Sequence, residues 1–245
     1  GDLARVPAED HVDVALDRGQ RRLDLVRGLP DVTGLLDGRA LDAVRPEACV
    51  YYYGFSVTEP PFDNVLVRRA FSAATNRRGL VDDVMISGQT AALTITPPTL
   101  FGSVDGYSEG IGYRHDPVLA RQLRATAGYP GGAGLPPIHL WFNTSEGHSQ
   151  IAQYISNGWE ETLGADVVLH DTDWQDFLAQ LQEGRFPVFR LGWCADYYDA
   201  YNFVGEMLTN RSRYGGWQNS TYDQLLAQAR LETDSAGRLS LYRQL

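Results

Sequence analysis

The sequence predicts an α/β fold, with βαβ units arranged around a parallel sheet. Three observations carry that expectation. Ile138, Leu140 and Phe142 recur at the two-residue period of a strand, and Ile151, Tyr154, Ile155, Trp159 and Leu163 then recur at helical spacing. Two further short apolar runs, at 167–169 and 187–193, are separated by a second helical pattern. Strands alternating with helices of ten or so residues are the mark of right-handed crossovers feeding a parallel sheet.

In chain order, residues 1–48 are mixed, with apolar runs at 12–16 and 23–26, and are too few to make a domain. From Cys49 to Phe55 the chain turns aromatic and β-prone, through Val50, Tyr51, Tyr52 and Tyr53, which predicts a buried strand or crossover. Pro60 and Pro61 end it. Residues 65–74 read as a helix with Leu66, Ala70, Phe71 and Ala74 inward, and Asn76 caps a second helical stretch through Leu80, Val81 and Met85. Residues 88–112, rich in Gly, Pro, Thr and Ser, read as a long ordered loop.

Asp116-Pro117 starts the next helix through side-chain capping and a fixed φ, and Gly128 stops it. The strand at Ile138 follows a Gly- and Pro-rich linker. Ser145 opens the long helix that Gly164 ends. Asp173 caps a helix carrying Phe177, Leu178 and Leu181, with Gly184 as its stop. Past Asn210 two amphipathic helices are expected, one through Leu225, Leu226, Ala229 and Leu231, the other from near Ser235 through Leu239, Leu241 and Leu245.

Composition narrows the functional classes. The chain has 245 residues, 43% of them hydrophobic, enough for a proper core. Its net charge is −10, and all 21 basic residues are Arg. That balance argues against a nucleic-acid backbone or an anionic membrane surface as the main partner, since both repel it at long range. Thirteen Tyr and five Trp suit wet, partly apolar binding walls. No stretch approaches the roughly 20 apolar residues that span a bilayer, and no signal peptide opens the chain, so a mature or trimmed protein is expected. Cys49 and Cys194 match no metal or CxxC spacing and are either two buried thiols or one disulfide.

In parallel sheets ligands bind outside the carboxyl ends of the strands. That rule selects two loops, 143–148 and 194–201. In the second, Asp196 and Asp199 flank two tyrosines just after an apolar strand. A carboxylate there is expected in a poorly solvated place, either meeting a ligand ammonium or capping the helix that begins near Asn202. Arg190, on the strand face of Val188, either meets a ligand carboxylate in a cleft or makes an internal ion pair. His148, in the first turn of its helix next to Ser145 and Glu146, either meets a polar ligand group or is an exposed first-turn residue.

Catalytic readings find little support. Ser145 and His148 lack a nucleophile elbow, and no HExxH or paired-Cys spacing exists for a metal. Asp171 with Asp173 read as a loop pair and a helix cap, and Glu160 with Glu161 as solvated helix charges. No catalytic residue, metal or cofactor is expected.

Three passages resemble the family 5 extracellular solute-binding proteins, the oligopeptide and dipeptide receptors of ABC importers. They are Ala48 to Tyr53 followed by Pro60-Pro61-Phe62-Asp63-Asn64-Val65 and Val67-Arg68-Arg69-Ala70-Phe71; Thr96-Pro97-Pro98-Thr99 and then 175–190; and Gly192-Trp193-Cys194-Ala195-Asp196-Tyr197 with Asn202-Phe203. The resemblance implies a lobe of the periplasmic-binding-protein type (type II, peptide-binding class), truncated at both ends. Residues 1–48 would be a strip of the N-terminal lobe and crossover, and 49–245 the C-terminal lobe, incomplete at its C-terminus.

The same resemblance implies capture of an extended oligopeptide between two lobes and delivery to a permease. Asp196 would pair with the peptide α-amino group. Arg190 and His148 would meet its carboxylate, and Asn143, Trp193, Cys194, Ala195 and Tyr197 would line the site. It implies a Cys49–Cys194 disulfide in an oxidising compartment. A monomer, periplasmic or extracellular, touching the membrane only through a lipid anchor or the permease, completes the expectation. An oligosaccharide or metal chelate on the same scaffold is the alternative, with Trp141 and Trp193 as stacking platforms for a sugar.

Overall fold

The computed structural model describes residues 47–86 and 88–245, so the apolar runs at 12–16 and 23–26 lie outside the described residues. Four strands make one mixed sheet: β1 (Cys49–Phe55), β2 (Ile138–Asn143), β3 (Val167–Thr172) and β4 (Val188–Cys194), in the order β1-β4-β2-β3. Strands β2, β3 and β4 are parallel, and β1 runs antiparallel to β4.

Among the described residues the helices of eight residues or more are α1 (Val65–Ala74), α2 (Pro117–Thr126), α3 (Glu146–Leu163), α4 (Trp174–Gln182), α5 (Leu208–Gly215), α6 (Ser220–Leu231) and α7 (Ser235–Tyr242), and shorter helical turns lie at Arg77–Gly79 and, within the expected loop, at Gly106–Glu109. Two π-helical stretches join them, Leu80–Met85 after α1 and Asn202–Met207 leading into α5. The expected caps form: Asn76, Asp116 and Asp173 side chains accept from amides in the first turns of Arg77–Gly79, α2 and α4, and Gly164 closes α3 in the left-handed conformation that a Cβ disfavours; Asn64, not among the expected caps, does the same as those side chains for α1.

The sheet is a two-sided partition. Ile138, Leu140 and Phe142 from β2 and Val188 from β4 face α3, whose Ile151, Ala152, Ile155, Trp159 and Leu163 complete one core together with α1. The Trp159 indole donates to Phe71 O and Thr75 Oγ1, fixing α3 to the end of α1. Phe189 and Leu191 from β4 face the other way, against Phe177 and Leu181 of α4. Period-two alternation thus sends successive β4 residues to opposite cores.

From β2 the chain crosses to β3 on one side, and from β3 it returns past β2 to β4 on the other. Helices α3 and α4 accordingly lie on opposite faces, as a constant crossover hand requires. Strands β2 and β4 therefore flank a topological switch point, and their carboxyl ends are Asn143 and Cys194. Leu231 departs from its expected inward place: it is 81% exposed, because Leu226 and Ala229 take the inner face of α6. Among the described residues, no helix is long and apolar enough to cross a membrane.

Candidate ligand site at the switch point

The loop after β4 is held from three directions. Cys49 and Cys194 are directly opposed in the β1–β4 register and joined by a disulfide across a sequence separation of 145. The Ala195 amide donates to Ala48 O at 2.8 Å, extending the ladder one step beyond the bond. Beneath the loop, wholly buried Asn202 uses one oxygen twice: its Oδ1 accepts from the Trp193 indole at 2.8 Å and from the Asp196 amide at 3.3 Å. Its Nδ2 donates to Glu206 at 3.0 Å, and Glu206 also accepts from Tyr197 Oη at 2.9 Å. Burial and this bond to Glu206 push the Tyr197 phenol up to about 12, so it remains a donor.

The two carboxylates of the loop divide their work. Asp199 accepts from the Tyr201 amide at 2.8 Å, from Tyr242 Oη at 2.6 Å and from Arg238 Nη2 at 2.6 Å, which docks α7 onto the loop. It is the structural carboxylate. Asp196 caps nothing. Contrary to the expectation of a poorly solvated group, its side chain is exposed, and no hydrogen bond or ion pair given by the described residues engages it. A cleft of about 550 Å³ opens between Tyr197, Tyr201, Glu206, Arg230 and Arg238, and Asp196 is not among its lining residues.

Arg190 and His148 do not reach a surface. Both are 0% exposed, so neither presents an atom to a ligand here. Arg190 Nη1 donates to Asn143 Oδ1 at 3.0 Å, and its guanidinium lies 4.5 Å from the centre of the Tyr51 ring. Tyr51 Oη in turn meets His148 Nδ1 at 3.3 Å. Burial first, and the Arg190 charge second, lower the His148 pKa to about 3, so the imidazole is neutral. The Arg190 charge thus meets an amide oxygen and a ring face.

The structure therefore brings the expected residues together as two layers. Asp196, Tyr197 and the half-buried Trp193, Cys194 and Ala195 form the loop layer, while Asn143, His148 and Arg190 lie in a sealed polar floor between β2, β4 and α3. Two members were missed as site residues. Tyr51 read only as a strand aromatic, and its alternation with Tyr53 on the Arg190 face was the available signal. Asn202 read only as a helix start, and nothing in its spacing marks it as a hub. Trp141 is no open stacking platform: it is sandwiched between His170, 4.3 Å away, and Phe186, 4.7 Å away.

Residues 6–215 match the model of the bacterial extracellular solute-binding proteins, family 5, middle region, and the chain belongs to that family. It is 34% identical over 202 residues to the periplasmic oligopeptide-binding protein OppA of Escherichia coli K12, covering 81% of this chain and 37% of that protein. Among solved structures it is similar to the oligopeptide ABC transporter protein OppAIV of Borrelia burgdorferi, with TM-score 0.75 and 28% identity over 86% of this chain and 42% of that one. It is also similar to Haemophilus influenzae OppA in complex with the peptide RPPGFSPFR, with TM-score 0.72 and 28% identity over 80% of this chain and 39% of that one. The chain thus spans well under half the length of these relatives. The family is one of binding proteins.

Proposed function

We propose that residues 49–245 act as one lobe of an extracytoplasmic receptor for an ABC importer, in which Asp196 takes the α-ammonium of an extended peptide. The observation that carries this reading is the contrast between Asp196 and its surroundings. Its backbone amide is fixed by Asn202 and its neighbour Cys194 is cross-linked, yet its carboxylate is exposed and engaged by no hydrogen bond or ion pair given by the described residues. A fixed anion with nothing of its own to neutralise is suited to a ligand cation, and closure of a second lobe would desolvate the pair and strengthen it.

Backbone groups near the carboxyl ends of β2 and β4 would carry the peptide main chain, leaving side-chain preference loose. Arg190 and His148 support this site from beneath. Capture and hand-over to a permease involve no reaction, and two carboxylates that a hydrolase could have used have structural partners. Asp171 accepts from Thr144 at 2.7 Å and Asp173 caps α4. A sugar-binding reading loses Trp141, which is packed between two rings. We place the receptor outside the cytoplasm as a monomer, held at the membrane by a lipid anchor or by its permease.

Calorimetry with a tetrapeptide tests the two-lobe requirement. This chain alone should bind weakly or not at all, and a two-lobed receptor carrying the same sequence should bind tightly. Submicromolar binding by this chain alone would contradict the reading.

A further inference from the structure

Away from the ligand loop, on the α4 face of the sheet, two histidines approach each other closely. His139 Nδ1 and His170 Nε2 are 2.8 Å apart, with ring centres 5.0 Å apart and planes inclined by 35°. The parallel register dictates this meeting: His139 pairs with Val168 and Trp141 with His170, so the two imidazoles are diagonal neighbours on adjacent strands. Trp141, stacked on His170 at 12°, holds that ring in place, while His139 is exposed. Strand β3 is the edge of the sheet, which leaves the pair open to solvent.

We propose that His139 and His170 form a chelating site for a divalent first-row transition ion of tetragonal preference, Cu²⁺ above all. This inference does not rest on the peptide-site reading. Imidazole nitrogen is a favoured ligand for Cu, Ni and Zn, and affinity rises to Cu²⁺ in the divalent series. With metal–nitrogen bonds of about 2.0–2.1 Å, a 2.8 Å separation subtends about 85° at the metal. That is close to the right angle between neighbouring ligands in square-planar or octahedral geometry. A tetrahedral Zn²⁺ site needs nitrogens about 3.3 Å apart, farther than the 2.8 Å seen here.

The facing nitrogens now share one proton, so one ring donates and the other accepts. For both to bind a metal, the donor ring shifts its proton to its outward nitrogen, Nε2 of His139 or Nδ1 of His170. Among the described residues no third His, Cys, Asp or Glu joins the pair, so water fills the remaining positions.

The test titrates the tag-free, chelator-treated chain with CuCl₂, NiCl₂ and ZnCl₂ by calorimetry, with electron paramagnetic resonance on the Cu²⁺ sample. One equivalent of Cu²⁺ should bind with two coordinated imidazole nitrogens, and Ni²⁺ and then Zn²⁺ should bind more weakly. His139→Gln and His170→Gln should each weaken Cu²⁺ by at least about tenfold, no less than outer-shell losses do. His115→Gln should leave it unchanged. No saturable Cu²⁺ binding, a wild-type spectrum with one nitrogen or none, tighter Zn²⁺ than Cu²⁺, or undiminished binding in the His139→Gln, His170→Gln double variant would overturn the site.

Discussion

The indole N–H of Trp193 donates to Asn202 Oδ1 at 2.8 Å, and that same oxygen accepts from the Asp196 amide. One buried side chain thus couples the last turn of the central strand to the loop that carries the exposed carboxylate. Asn202→Ala should remove the acceptor shared by the Trp193 indole and the Asp196 amide and cost about 1–3 kcal/mol. It should also raise hydrogen exchange at 195–199. Asn202→Asp, which keeps the accepting oxygen, should retain more of the protection. Equal protection in wild type and Asn202→Ala would remove Asn202 from this role.

The disulfide should contribute to stability through the unfolded chain. Closing a loop of 145 residues is worth roughly 5 kcal/mol in the chain-entropy model, and removal of native disulfides typically costs about 2–5 kcal/mol. Cys49→Ser with Cys194→Ser should lower the urea midpoint accordingly, and reductant should shift the wild type but not the double variant. An unchanged midpoint would mean that the β1–β4 ladder needs no cross-link.

His148 makes stability depend on pH in a stated direction. Its folded pKa is lowered to about 3 against roughly 6.5 when unfolded, so between those values the unfolded chain binds more protons. The contribution of the neutral, buried ring is complete above about pH 6.5. It is lost as pH falls towards 3, by up to about 1.4 kcal/mol per pH unit. His148→Gln should flatten that part of the urea-stability profile between pH 6.5 and 4.5. Parallel profiles for the two proteins would show that His148 does not titrate on unfolding.

Much of the fold was legible because its elements obey simple periodicities. The β2-α3-β3-α4-β4 run announces itself through two-residue and helical spacing, and Asp116, Asp173, Gly164 and Gly184 punctuate it by capping and turn chemistry. From strand topology alone the loop at Cys194 to Tyr201 was the expected ligand edge.

Solvation was not legible. Period two placed Arg190 on the correct face, but not that α3 and Tyr51 would seal that face and turn an expected ligand contact into a buried floor. Asp196 went the other way and proved exposed, because the π-helix at Asn202–Met207 supports the loop from below and does not cover it. The His139–His170 pair depends on which strands are neighbours, and that follows only from the sheet order.

The central claim is that Asp196 receives a ligand ammonium, and a thermodynamic cycle isolates that interaction from everything else in the site. The measurement is calorimetry of one peptide and its N-acetylated twin against a two-lobed receptor carrying this sequence, wild type and Asp196→Ala. Acetylation should cost the wild type about thirtyfold or more in affinity, the low end for truncating a desolvated charge pair, and should cost the variant almost nothing. An equal loss in both proteins would contradict the account.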